Sequence, residues 1–111
     1  MNYHLTQHDA TKKLSMDESR SFVVLLRHGT MQLEYFAPFP VDNQQPHQQD
    51  ELYVIASGSS EFYRNGEVIS CSKGDVIFVP ALMEHRFLNM SNDFATWVIL
   101  YGPAGGEDTE S

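Results

Sequence analysis

The sequence has one cysteine, few basic residues and no long apolar run, and each of these shortages excludes a class of protein. Cys71 has no partner for an internal disulfide, so we interpret it as a small strand residue rather than a redox group. With 7 basic and 15 acidic side chains, the net charge of -8 repels nucleic-acid phosphates and anionic lipid headgroups. No segment approaches the roughly 20 apolar residues of a membrane span, and no signal-peptide pattern is present. We therefore expect a cytoplasmic protein without nucleic-acid or membrane partners.

The chain is long enough for one domain with one apolar core, since it has 111 residues and 41% apolar composition. Residues 1–20 are polar, with Leu5, Leu14 and Met16 weakly spaced as one helix face, and we predict a loose N-terminal arm there. Residues 103–111 are glycine-rich and then acidic, which predicts a disordered tail. The folded domain is predicted to span residues 21–102.

Short apolar runs alternate with turn signals along this domain, a pattern typical of an all-β sandwich or barrel. Asn65-Gly66 predicts a tight hairpin because both residues tolerate positive φ. Gly74 and Pro80 bound a further strand on its two sides. The predicted strands are Phe22–Arg27, Met31–Phe36, Glu51–Ser57, Ser60–Arg64, Glu67–Cys71, Val76–Val79, His85–Asn89 and Ala95–Tyr101.

Two short segments contain residue types that bind metals. Side chains alternate across an extended chain, so His47 and Glu51 can share one face. Gln45 and Tyr53 can lie on the same face, and His85 points inward from a later strand by the same alternation. Two imidazoles and one carboxylate form a three-ligand set that leaves coordination positions open for water or substrate.

The order and spacing of these residues resemble the two sequence motifs of the cupin superfamily, over roughly residues 22–101. The first motif is matched by His47, Glu51 and Gly58, and the second by Gly74, Pro80, His85 and Asn89. The resemblance implies a cupin-like jelly roll or β-barrel made of two packed antiparallel sheets. It also implies one divalent transition metal bound by His47, Glu51 and His85, with Gln45 nearby. Iron, nickel, zinc and manganese all suit such ligands.

The chain departs from the family motifs at three positions. Phe39 and Leu82 stand where the motifs have glycine, and we expect those turns to be built differently. Gln45 stands where the first motif has a histidine. Its amide oxygen is a weaker metal ligand than an imidazole, and its amide can instead hydrogen-bond a substrate.

The remaining candidates have ordinary structural interpretations beside the functional ones. We interpret His4, His8 and His28 as structural, and Asp50 as a solvated or turn-stabilising charge on the face opposite Glu51. Tyr53 and Tyr101 are candidate catalytic proton donors or acceptors. Alternating residues predict a barrel interior that is core first and pocket second, formed by Met31, Leu33, Tyr35, Phe87, Trp97 and Ile99. Of these, Met31, Tyr35, Phe87 and Trp97 are predicted to line a substrate pocket together with Gln45.

Three functions remain open at this point. The first is a metal-dependent enzyme of the dioxygenase, isomerase or lyase type acting on a small organic substrate. The second is a non-catalytic module that binds a small carboxylate or sugar. The third is a structural or partner-binding protein, which the inward-facing ligand set disfavours. An exposed sheet edge also predicts a two-fold homodimer.

Overall fold

A computed structural model of the protein describes residues 4–108. One helix, α1 (Gln7–Ser15), precedes a series of strands. The strands are β1 (Phe22–His28), β2 (Met31–Phe36), β3 (Asp50–Ser57), β4 (Ser59–Arg64), β5 (Glu67–Ser72), β6 (Val76–Val79), β7 (His85–Leu88) and β8 (Ala95–Tyr101). Each strand end lies within one residue of its predicted position. In this part of the chain, no helix has the length and apolarity needed to cross a membrane.

The strands form two antiparallel sheets that pack face to face. The larger sheet has the order β1-β2-β8-β3-β6, and the smaller one has the order β5-β4-β7. Neighbours that are distant in sequence, such as β2 and β8, are joined by the long connections of a jelly roll. The predicted all-β fold of two packed antiparallel sheets is therefore confirmed.

An aromatic cluster fills the space between the sheets. Tyr53 from the larger sheet and Phe62 from the smaller sheet are both fully buried. The ring centroid of Phe87 lies 4.9 Å from that of Tyr53, 4.8 Å from that of Phe62 and 4.7 Å from that of Phe94. These tilted and edge-on contacts hold the two sheets together directly behind the candidate ligands.

The side-chain alternation of β2 and β8 runs opposite to our prediction. Tyr35 and Trp97 lie on the outer face of the larger sheet, 5.1 Å apart between ring centroids, where α1 covers them. The neighbouring residues Glu34 and Val98, which pair across these strands, face inward instead. Both faces of this sheet are covered, so apolar residues occupy both and do not mark the inner one. The outer face also includes Met31, Leu33 and Ile99.

The N-terminal segment is more ordered than the loose arm we predicted. Helix α1 starts with a capping box in which Thr6 and Asp9 bond each other's backbone N–H groups. Ala10 on this helix is fully buried and packs in a small cluster with Tyr35 and Ala95. Residues 7–15 thus form a packed helix where we predicted a loose arm, and residues 1–3 lie outside the described part of the chain.

The C-terminal segment also contacts the barrel. The Gly105 N–H donates to the Gln48 carbonyl oxygen at 2.6 Å, and the Glu107 N–H donates to Asp50 Oδ2 at 2.9 Å. Asp50 is buried and accepts a second bond from the Ala81 N–H at 2.9 Å. It therefore stabilises turns, as we considered, but it is not solvated. Gly105 and Glu107 therefore contact the barrel where we predicted a disordered tail, and residues 109–111 are outside the described range.

The turn at Leu82 has the positive φ that glycine favours, although leucine stands there in place of the motif glycine. Leu82 has a φ of 69°, the left-handed conformation that glycine favours. We expected a different turn, but the leucine adopts this conformation at a cost of roughly 1–2 kcal/mol. Its N–H donates to the His47 carbonyl oxygen at 2.8 Å. The strained turn therefore anchors the backbone of a candidate ligand.

The edge strands on which we based the dimer prediction are present. β1 and β6 are the end strands of the larger sheet. On β6, Val76 and Phe78 are 60% and 44% exposed, and Arg64 reaches across to the Phe78 carbonyl oxygen. The homodimer itself stays a prediction.

Gly58 provides a test of the packing at the end of the first motif. A Cβ built on it would lie 2.7 Å from Asp93 Oδ1 and 2.8 Å from Phe94 Cα, whereas a Cβ on Gly29 meets no atom within 4 Å. Both glycines have positive φ. We expect Gly29→Ala to lower the free energy of unfolding by about 1 kcal/mol and Gly58→Ala by about 1–3 kcal/mol more. Urea titration measures both, and equal losses would contradict the packing described.

Candidate metal centre

The two sheets jointly place the three predicted ligands in one cluster. His47 comes from the loop before β3, Glu51 from β3 in the larger sheet, and His85 from the first position of β7 in the smaller sheet. One potential ligand atom from each residue lies within 4.8 Å of the others. The set therefore forms only when the sheets are packed together.

A carboxylate oxygen stands between the two imidazoles. Glu51 Oε1 lies 3.2 Å from His47 Nδ1 and 2.9 Å from His85 Nε2. Glu51 and His85 are buried, but 31% of the His47 side chain is exposed. His47 thus forms the solvent side of the cluster, and Glu51 forms its floor.

The second oxygen of the same carboxylate provides the strongest evidence for a cation. Glu51 Oε2 is buried and has no hydrogen-bond partner among the described groups. An unsatisfied buried polar atom costs about 1–3 kcal/mol, and more if it is charged. A divalent cation placed beside two imidazoles would satisfy this atom. The residues present therefore fit a metal.

The tautomer of His85 is fixed in the form that binds a metal. Its Nδ1 lies 2.8 Å from the Met83 carbonyl oxygen, which can only accept. Nδ1 therefore carries a proton and donates it to this carbonyl. In the neutral ring, Nε2 is then left with a free lone pair directed at the cluster, the arrangement common for ligand histidines.

Tyr53 does not satisfy that lone pair. Its hydroxyl lies 3.0 Å from His85 Nε2 and also 3.0 Å from Gln44 Oε1. The hydroxyl has one hydrogen, and the Gln44 oxygen can only accept it. Once that hydrogen is donated to Gln44, the lone pair of His85 Nε2 faces a carboxylate oxygen of Glu51. This contact is favourable only if a proton or a metal ion lies between the two atoms.

The orientation of Gln44 is set by a buried aspartate. Asp42 Oδ2 accepts from Gln44 Nε2 at 2.6 Å and from the Phe87 N–H at 2.9 Å, while Oδ1 accepts from the Gln44 N–H at 2.9 Å. Because Asp42 only accepts, the amide nitrogen of Gln44 must face it and the amide oxygen must face Tyr53. Asp42 thus connects the loop to β7 and aligns the phenol.

Charge within the cluster is divided between carboxylate and imidazole. Burial alone raises the pKa of Glu51, but hydrogen bonds with His47 and His85 outweigh it and hold that pKa below its ordinary value. The hydrogen bond to Glu51 raises the pKa of His47 against the opposing effect of burial. A metal that binds His47 must displace its proton. Burial raises the pKa of Tyr53 well above its ordinary value, so the phenol keeps its proton.

A cavity of about 310 Å³ opens onto the ligand cluster. Its polar lining includes His47 and Glu51 from the cluster, with Glu34 on β2. Gln45 is exposed and lies at the rim of this cavity, whereas we predicted it inside the pocket. The other lining residues are Phe22, Phe36, Gln44, Pro46 and Val98.

Several predicted site residues lie elsewhere. Phe87 is in the core behind Tyr53, so it supports the site without lining this cavity. Tyr101 follows the inward Leu100 on β8, and its half-buried side chain faces away from the cluster. Met31, Tyr35 and Trp97 are on the outer face, as described above, and do not line the pocket. His4, His8 and His28 are exposed, and none of them joins the cluster.

Sequence reasoning missed Glu34, Asp42 and Gln44. Glu34 alternates with apolar residues on β2, a pattern that read as a solvent-facing strand position. Asp42 lies two residues before Gln44, the spacing of a turn in which an aspartate bonds the backbone two residues on. That turn signal was available in the sequence, but it does not predict contact with Tyr53.

The chain is similar in sequence to known proteins over most of its length. A sequence profile for the Cupin domain matches residues 33–101. An uncharacterised protein of Streptomyces coelicolor is 31% identical over 85 residues, which cover 75% of this chain and 81% of that protein.

Solved structures share the fold. A Cupin 2 conserved barrel domain protein from Salinispora arenicola is 16% identical, with a TM-score of 0.68 over 92% of this chain and 89% of that one. The DMSP lyase DddQ from Ruegeria pomeroyi is 21% identical, with a TM-score of 0.63 over 73% of this chain and 46% of that one.

Metal titration separates strong ligands from weak ones. We expect Glu51→Gln and His85→Ala to lower affinity for Zn²⁺ by more than about 100-fold, because each removes a strong ligand from a set of three. Gln45→Ala should lower it by less than about tenfold, since Gln45 lies at the rim. Competition with a chromogenic chelator measures the affinities, and circular dichroism checks folding.

The exposed His28 supplies the matched control for loss of an imidazole. His28→Ala should leave the affinity unchanged. If Gln45→Ala loses as much affinity as Glu51→Gln, the assignment of Gln45 as a weak or outer ligand is wrong.

Proposed function

Because this chain belongs to the cupin family, we propose that it is a metal-dependent enzyme that acts on a small organic substrate. His47, Glu51 and His85 would hold one divalent transition metal. The observation that carries the proposal is the buried, partnerless Oε2 of Glu51 beside two imidazoles at the end of a cavity. Three protein ligands leave coordination positions open on the side that faces this cavity.

A metal bound there would supply Lewis-acid chemistry, which polarises a substrate oxygen and lowers the pKa of a coordinated water. The protein's own residues supply orientation and protons. Apolar side chains at Phe22, Phe36 and Val98 exclude water from the cavity wall, and Gln45 offers an amide at the rim. This division of labour suits dioxygenase, isomerase or lyase chemistry, and the fold is shared with a lyase.

Tyr53 is the candidate catalytic residue beside the ligands. Its hydroxyl is held by Gln44 within 3.0 Å of His85 Nε2. Burial keeps the phenol protonated, and its hydrogen, which Gln44 accepts in this structure, reaches a reacting group only when the hydroxyl turns away from Gln44. Gln44 and Asp42 hold the phenol oxygen in place beside the ligands, so only the O–H bond has to rotate.

The proposal is tested by incubating the metal-loaded protein with a small-molecule metabolite extract. Mass spectrometry follows depleted and newly formed compounds, and an oxygen electrode follows oxygen consumption. We expect the protein to convert at least one compound and Glu51→Gln to convert none. Tyr53→Phe should keep its metal but react about 10²- to 10⁴-fold more slowly, the usual contribution of a positioned proton donor.

Two outcomes would contradict this proposal. A compound that is retained by the protein but never converted would identify a non-catalytic binding module. Equal conversion by the protein and by Glu51→Gln would show that the metal cluster is not the reacting centre. Tyr63 is a half-buried tyrosine on the smaller sheet that lies beside Arg86 and outside the cluster, and Tyr63→Phe controls for the loss of a phenol.

A further inference from the structure

Glu34 places a second carboxylate in the cavity that leads to the metal ligands. It lies on β2 and shares the inward face of the larger sheet with Phe36. Its Oε2 accepts a hydrogen bond from Gln32 Nε2 at 2.6 Å, which fixes the direction of the side chain. Burial raises the pKa of this carboxyl group, which places it in a less polar environment than a surface glutamate.

The cavity lining offers this carboxylate no permanent cation, and the nearest one, Arg27, reaches it only through Gln32, to which its Nε donates at 2.9 Å. Among the described residues that line it, none is lysine or arginine. His47 is the one lining residue that can carry a positive charge, and a bound metal would take its lone pair. A partly buried carboxylate is stabilised by a cationic or hydrogen-bond-donating partner. Gln32 is one such donor, and a ligand in the cavity can supply a second, cationic partner on the cavity side.

The sheet register gives the backbone separation between Glu34 and β3, the strand that carries Glu51. Glu34 pairs with Val98 on β8, and Val98 pairs with Tyr53 on β3. Adjacent strands are about 4.8 Å apart, so Glu34 and Tyr53 are separated by roughly 10 Å across the sheet. Val98 and Phe36 form an apolar floor on this path.

We propose that Glu34 selects the substrate by binding a cationic group, such as an ammonium, at the end of the molecule remote from the metal ligands. The inference rests on the proposed function, because it takes the same cavity as the substrate site. It predicts a substrate with an oxygen donor at one end, a short apolar middle and a cationic donor at the other end. A second carboxylate at the remote end would be repelled by Glu34, which disfavours dicarboxylate substrates.

Paired probes that differ only in the charge of the tail test this assignment. In zinc-loaded protein, the probes are 3-aminopropanohydroxamate and succinic monohydroxamate, which share a metal-binding head group. In metal-free protein, the probes are n-butylammonium and butanoate. Calorimetry or NMR shift titration measures the ratio of affinities in each case, and circular dichroism confirms that each variant is folded.

We expect the cationic tail to bind at least about tenfold more tightly than the anionic one. In Glu34→Gln, the cationic and anionic tails should bind with similar affinity, so the ratio should fall close to one. Glu34→Asp should restore part of the preference for the cationic tail. Glu67→Gln removes the same charge from an exposed position outside this cavity and should leave the ratio unchanged.

A ratio that is the same in Glu34→Gln as in the unmodified protein, with and without zinc, would overturn the inference. The two proposals fail separately. Absence of zinc uptake would contradict the metal centre, and the metal-free probes would then decide the role of Glu34 by themselves.

Discussion

The structure depends on one buried carboxylate that lies between two imidazoles. Glu51 is 1% exposed, and its two oxygens are in different situations. Oε1 faces His47 and His85, whereas Oε2 has no partner in the described part of the chain. Burying such a group is costly unless its charge is balanced and its lone pairs are used. A divalent cation would balance the charge of Glu51 and accept the lone pairs of its unpartnered oxygen.

The surrounding structure fixes the donors around this carboxylate. The Met83 carbonyl sets the tautomer of His85, and the strained turn at Leu82 holds the His47 backbone. Asp42 aligns Gln44, which in turn receives the proton of Tyr53. These contacts come from two loops, the one between β2 and β3 and the one between β6 and β7, and the aromatic cluster holds the two sheets together. The metal ligands are therefore oriented by the fold before any metal binds.

The sequence predicted the strands and the ligand set because both leave local signals. His47, Glu51 and His85 stand at fixed distances from the motif glycines, and Asn65-Gly66 specifies its own turn. The inner face of β2 and β8 was not predictable, since α1 buries Tyr35 and Trp97 on the outer face. The contacts of Asp42, Gln44 and Glu34 depend on how loops and sheets pack. Alternation along one strand contains no information about that packing.

Anomalous diffraction from crystals of the zinc-loaded protein tests the central claim most directly. We expect one strong zinc peak within about 2.0–2.2 Å of both imidazoles and the Glu51 carboxylate. The same measurement on Glu51→Gln should show no peak at this position. Zinc bound at the exposed histidines His8 or His28, with none between His47 and His85, would contradict the account.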